Sequence, residues 1–115
     1  MTTIPLSHHR SHGEWVFTSG QIGRDADGTV PSAFGAQMRV AIQSLRANLE
    51  AAGASLDSVV KTTVYLKRQE DFAEMNEIYA TYFDQPWPAR STVVAGMVRP
   101  ELSFEIDAIA YRRPS

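Results

Sequence analysis

A chain of 115 residues, 43% hydrophobic and 21% charged, has the length and composition of a single globular domain, 1–115, able to bury a core of its own. Its 13 acidic residues against 11 lysines and arginines give a formal net charge of −2, which leaves no electrostatic footprint for nucleic acid. The absence of cysteine excludes disulfides, thiol catalysis and thiolate metal sites, and no stretch approaches the roughly eighteen apolar residues of a membrane span.

The first residues, MTTIPLSHHRSHGEW, lack the apolar core of a signal peptide, and the expected location is the cytoplasm. GEWVFTSGQIG is β-branched and aromatic at its centre and bounded by glycines, so it reads as a strand running into a turn. Asp27-Gly28 in RDADGTV is a hairpin signal. In SAFGAQMRVAIQSLRANLEAAG, Phe34, Met38, Ile42, Leu45 and Leu49 recur at spacings of four and three, which draws one apolar helical stripe. Ser32 is the expected N-cap and Gly53 the residue just past the helix end.

SVVKTTVYLK predicts a strand with Val60, Thr62, Val64 and Leu66 on one face and Lys61, Thr63 and Tyr65 on the other. RQEDFAEMNEIYATYF predicts a second helix, with Phe72, Met75, Tyr79 and either Tyr82 or Phe83 facing inward and Pro86 stopping it. ARSTVVAGM and ELSFEIDAIAY predict two closing strands. In the second, Leu102, Phe104, Ile106, Ala108 and Ala110 form the apolar face, and Ser103, Glu105 and Asp107 lie opposite. Two amphipathic helices cover one face of one sheet, so the fold class is α+β, a single mixed sheet with two helices on one face. The uncovered face mixes Glu105, Asp107, Lys61 and Thr63 with Ile109 and Tyr65, which suits burial in an oligomer better than open water.

Several residues carry potential chemistry, each with a plainer reading beside it. Arg90 opens a strand, where its charge costs several kcal/mol of desolvation unless an anion meets it. That anion is either Glu105 or Asp107 across neighbouring strands, or the carboxylate of a ligand held by the guanidinium fork. Glu105 and Asp107 share a strand face and read as a solvated pair or as the seat of an acid–base group. Thr92 shares a strand face with Arg90, and its hydroxyl or backbone N–H bonds a ligand or merely fills a strand. Ser19-Gly20 is a turn, or a place where a backbone N–H approaches a ligand closely. His8, His9 and His12 are too loosely spaced for a metal site and are expected exposed or at a cleft edge; Trp87, between two prolines, packs in a tight loop or rims a cleft.

TSGQIG, LEAAGASLDSVVKTTVYL, DFAEMNEIYATYF, PARSTV and FEIDAIA follow one another in the order seen in the Rid (reactive intermediate deaminase, YjgF-type) family, and the chain resembles that family from Gly13 to Arg112. The resemblance implies a chorismate-mutase-like fold and a homotrimer with active clefts between subunits. It implies hydrolysis of 2-imino or enamino acids to 2-oxo acids and ammonia, with no cofactor and no metal. By motif match, Arg90 and Glu105 take the catalytic positions, and Ser19, Gly20, Thr92 and Asn76 bind a small 2-imino or 2-oxo acid. Within this picture Arg90 holds the carboxylate and Glu105 orients water and moves its proton.

One departure stands out. Where the family carries a cleft tyrosine, an ungapped count back from TSG reaches Leu6, and a different path through SHHRSHG reaches His8 or His9. The change predicts a cleft mouth suited to bulkier apolar side chains. The alternative function is a non-catalytic trimer of the same family that binds small carboxylates or stabilises proteins. Nucleic-acid cleavage, a third reading, is disfavoured by the mild acidity, and neither nucleic acid nor membrane is an expected partner.

Overall fold

The computed structural model describes residues 3–112. Strands β1 (His9–His12), β2 (Trp15–Thr18) and β3 (Gln21–Ile22) precede helix α1 (Phe34–Ala51); strand β4 (Val59–Leu66), helix α2 (Phe72–Tyr82) and strands β5 (Ala89–Val94) and β6 (Phe104–Tyr111) follow. The sheet order is β1-β2-β6-β4-β5, with β3 also on β6. All pairs are antiparallel except β4–β5, and that parallel pair needs a crossover, which α2 supplies. Both helices pack on one face of this mixed sheet, the α+β arrangement predicted from the sequence. Among the described residues, no helix is long and apolar enough to cross a membrane.

The predicted stripes make the core. Met38, Ile42, Leu45 and Leu49 of α1 are fully buried against Phe104, Ile106, Ala108 and Ala110 of the central strand β6. Burial of each large apolar side chain is worth about 1.5–3 kcal/mol. Gly53 takes φ +86° as expected, and the N–H groups of Gly53 and Ala54 return to the carbonyls of Glu50 and Leu49 to close the helix.

The structure departs from the sequence expectations at several places. The N-cap of α1 is Ala33, with no side-chain cap, instead of Ser32. A register shift between Val59 and Lys61 puts Val59 into the core and turns Val60 outward, because a β-bulge inverts the alternation on one side of it. In α2 Phe72 is exposed and Ile78 takes its place inside; of the two candidates at the helix end, Phe83 is buried and Tyr82 is only partly so. The Asp27-Gly28 turn forms, with Asp25 N–H bonded to the Thr29 carbonyl, but it lies in the β3–α1 connection and joins no strand pair. Strand β1 was not expected from HRSH. It exists because Gly13, at φ +59°, lets the chain reverse in two residues between the paired His12 and Trp15.

One buried polar side chain ties the core to its loops. The Gln37 amide donates to the carbonyls of Pro31 at 2.9 Å and Glu101 at 2.8 Å, and its oxygen accepts from Ser103 N–H at 2.8 Å. Gln37→Met would keep the volume and strand three backbone groups, each worth about 1–3 kcal/mol when buried unpaired. Urea denaturation is expected to place the variant at least about 3 kcal/mol below the parent; a loss within error would mean that water replaces the clamp.

A candidate active site split across the sheet

Arg90 stands on the edge strand β5, paired with Thr62 of β4. Both point to the helix side, where Thr62 is fully buried and its hydroxyl lies 2.9 Å from the Tyr79 hydroxyl. The Tyr79 ring carries the guanidinium, 4.9 Å from its centroid; Phe72 lies 6.0 Å away and the Met75 sulfur accepts from Nη1 at 3.8 Å. Burial pushes the Tyr79 hydroxyl up, so it stays neutral and bonded to Thr62 while its ring face attracts the cation. No carboxylate of the described residues lies within ion-pair distance of Arg90; the two ion pairs are Arg68–Glu70 and Arg99–Glu101. Arg90 shares an open cleft of about 400 Å³ with Asn76, Tyr79, Ala80, Trp87 and Pro88. Thr92, one step along the same strand face, pairs with buried Val64.

Glu105 is on the other face. It lies between Phe104 and Ile106, which point into the core, and opposite Tyr65 and Ile22 in the two flanking ladders. The structural ion pair between Arg90 and Glu105 or Asp107 therefore does not form within one chain: β5 does not adjoin β6, and the sheet separates the groups.

Ser19 and Gly20 join the Glu105 group. Of the two readings, a turn or a close backbone approach to a ligand, the turn does not form, because the chain does not reverse there. Phe17 pairs with Ile109 and Gln21 with Ile106, so four steps along one strand match three along the other, and the extra residue makes a bulge. Thr18 Oγ1 accepts the Ala108 N–H at 3.0 Å and fills the gap in the ladder. The Ser19 hydroxyl bonds the Ser7 carbonyl, and the Gln21 amide donates to the Ser19 carbonyl at 3.0 Å while accepting from Asn48 of α1 at 3.1 Å. The bulge is thereby pinned from both sides. It brings Gly20 so close to Glu105 that any Cβ there would overlap Oε2.

Half-burial raises the Glu105 pKa above the ordinary carboxylate value, and the charge of Asp107 raises it further. Asp107 itself accepts from the Tyr65 hydroxyl at 3.0 Å. Burial and that bond push the Tyr65 pKa up, so it remains a donor.

The candidates thus fall into two groups: Arg90, Asn76 and Thr92 at the β5 edge on the helix side, and Ser19, Gly20 and Glu105 on the open face or at its margin. Leu6 and His8 line a second cleft of about 730 Å³ together with Ile4, Gly20, Ile22 and Arg24, while His9 is held in the β1–β2 ladder. Among the described residues no group of three His, Asp or Glu side chains is placed to hold a metal ion. Sequence reasoning missed Tyr79, read only as core; the signal was a tyrosine on an apolar stripe facing the strand that carries Thr62.

The two-helix α+β fold thus carries an arginine with no carboxylate partner among the described residues on one side of the sheet, and a carboxyl of raised pKa on the other. The family model described as endoribonuclease L-PSP matches residues 2–112, and the chain belongs to this family, the YjgF/RutC/Rid proteins. It is 42% identical to a RutC family protein of Pyrococcus horikoshii, over 94% of this chain and 87% of that one. It is 39% identical to the 2-iminobutanoate/2-iminopropanoate deaminase of Escherichia coli, over 88% of this chain and 82% of that one. It superposes on E. coli TdcF with bound serine at a TM-score of 0.89 and 34% identity, covering 97% of this chain and 91% of that one.

Replacing Asp107 by Asn keeps an acceptor for Tyr65 and removes one negative charge. Carbon-13 NMR titration of Glu105 is expected to give a raised pKa in the parent and a lower one in Asp107→Asn. Equal values would show that burial alone sets the Glu105 proton affinity.

Proposed function

We propose that the protein is a 2-imino/enamino acid deaminase, working without a cofactor as a homotrimer whose clefts lie between subunits. The observation that carries this reading is the separation of Arg90 from Glu105. A guanidinium clamped on aromatic rings and a carboxyl held against a backbone bulge are each half of an acid-handling site. A second copy, its open face set against the β5 edge, completes it. The two halves are different patches, so the contact is head-to-tail, and a rotation of one third of a turn between copies closes such contacts into a three-membered ring. The open face, with Trp15, Phe17, Val93 and Tyr111 exposed around Glu105 and Asp107, suits this burial. The relatives named as imine deaminases, and the serine bound to TdcF, support a small amino-acid-like substrate. The endoribonuclease of the family description names another chemistry, and a net charge of −2 offers no cation excess for a phosphate backbone.

In this mechanism Arg90 takes the substrate carboxylate with two parallel hydrogen bonds, and Asn76 and Thr92 fix its orientation. Backbone groups at Ser19-Gly20 hold the reacting end near Glu105. Glu105 orients a water and takes its proton as the oxygen adds to C2 of the protonated imine. It returns that proton to the amine nitrogen of the carbinolamine. The C2–N bond breaks with its electron pair going to nitrogen, and as the 2-oxo group forms Glu105 takes the hydroxyl proton and passes it to the departing ammonia. Substrate and water become a 2-oxo acid and ammonium. A carboxyl with a raised pKa suits both proton transfers.

Arg90→Lys keeps the charge but loses the fork, and is expected to lose most turnover of 2-aminoacrylate-derived imine while the fold persists. Glu105→Gln is expected to bind a 2-oxo acid as the parent does and to turn over about 10²–10⁴-fold more slowly. The assay couples a serine lyase to pyruvate release. Near-normal turnover in Arg90→Lys would make Arg90 structural, and tight binding without any acceleration by the parent would favour the non-catalytic binder.

A further inference from the structure

We infer that the cleft beside Arg90 selects 2-imino acids with a branched or aromatic side chain, seated against Trp87. The inference rests on the deaminase reading and adds the substrate class. Of the residues lining this cleft, Arg90 and Asn76 supply the polar groups; the Tyr79 hydroxyl is engaged by Thr62 and turned into the core. Once Arg90 holds a carboxylate, the wall that this chain itself offers to the substituent on C2 is Trp87, Pro88 and Ala80. That wall is mostly apolar: Pro88 and Ala80 carry no side-chain polar atom, and its one side-chain donor is the Trp87 indole N–H.

Trp87 is half exposed, at 50%, and stacks on no other ring among the described residues. Pro86 and Pro88 restrict the backbone on either side of it, and its half-exposed indole is open to a ligand. An indole face is a good seat for a ring or a branched aliphatic group. Size permits it: a cavity of about 150 Å³ takes a benzene ring, and this open cleft offers about 400 Å³ on one chain. A three-carbon imine would leave Trp87 wet.

The test measures two things in the parent, Trp87→Ala and Trp87→Phe. Calorimetry gives the affinities for pyruvate, 4-methyl-2-oxopentanoate and phenylpyruvate. The kcat/KM values are taken with imines generated from alanine, leucine and phenylalanine by an L-amino-acid oxidase. The parent is expected to bind phenylpyruvate at least about tenfold tighter than pyruvate and to rank the imines in the same order. Trp87→Ala is expected to lose that preference while its pyruvate affinity stays within about twofold, and Trp87→Phe to retain it. Equal affinities in the parent, or a parallel loss for both acids in Trp87→Ala, would overturn the inference. If the binding preference is present but no imine is turned over, the deaminase reading fails and the Trp87 seat stands. If all imines are turned over alike, the reverse holds.

Discussion

Side chains on a strand alternate between the two faces of a sheet, and that period of two decides what this chain can do alone. Arg90 pairs with Thr62 and follows it to the helix side; Glu105 lies between Phe104 and Ile106 and points away from them. β4 stands between their strands. The guanidinium is stabilised by the faces of Tyr79 and Phe72 and by no carboxylate of the described residues. A cation held in that way is partly desolvated yet unneutralised, and it gains most from an anion delivered from outside. The proposed mechanism, the proposed assembly and the proposed seat for the side chain all follow from this one separation.

The second constraint is the bulge at Ser19-Gly20. An extra residue in the β2–β3 segment brings the backbone against the Glu105 carboxyl, and a Cβ at Gly20 would force that side chain to move. The bulge is held by Gln21 and Asn48 on the α1 side and by the Ser19–Ser7 bond on the other. The same crowding, with Asp107 nearby, makes Glu105 keep its proton to higher pH than a free carboxyl. In the proposed mechanism an acid limb of the rate profile therefore lies above the ordinary glutamate range, because Glu105 must be ionised to accept the water's proton.

Much of this was legible in the sequence, and the reasons are specific. The stripes of α1 and β6 follow periods of 3.6 and 2, and those residues are the core. The positions of Arg90 and Glu105 on their strands were also readable, since strand alternation is local. What was not readable was the sheet order. With β5 beside β4 instead of β6, the ion pair that competed with a ligand for Arg90 disappears. Ser19-Gly20 looked like a turn because a bulge and a turn use the same residues, and only the ladder on β6 distinguishes them. β1 was missed because HRSH has no strand propensity of its own and depends on the reversal at Gly13. Tyr79 was hidden among core residues, since one ring both stacks on buried Phe83 and carries Arg90.

Complementation between two inactive variants tests the central claim most directly. Arg90→Ala and Glu105→Gln are purified separately, unfolded, mixed in equal amounts and refolded together. If each working cleft takes its arginine from one subunit and its glutamate from the next, random trimers restore both groups in about one quarter of clefts. About that share of parent activity should return, while either variant refolded alone stays inactive. If the mixture is as inactive as its components, although mass spectrometry shows mixed trimers, then Arg90 and Glu105 do not act across a subunit boundary and the account is wrong.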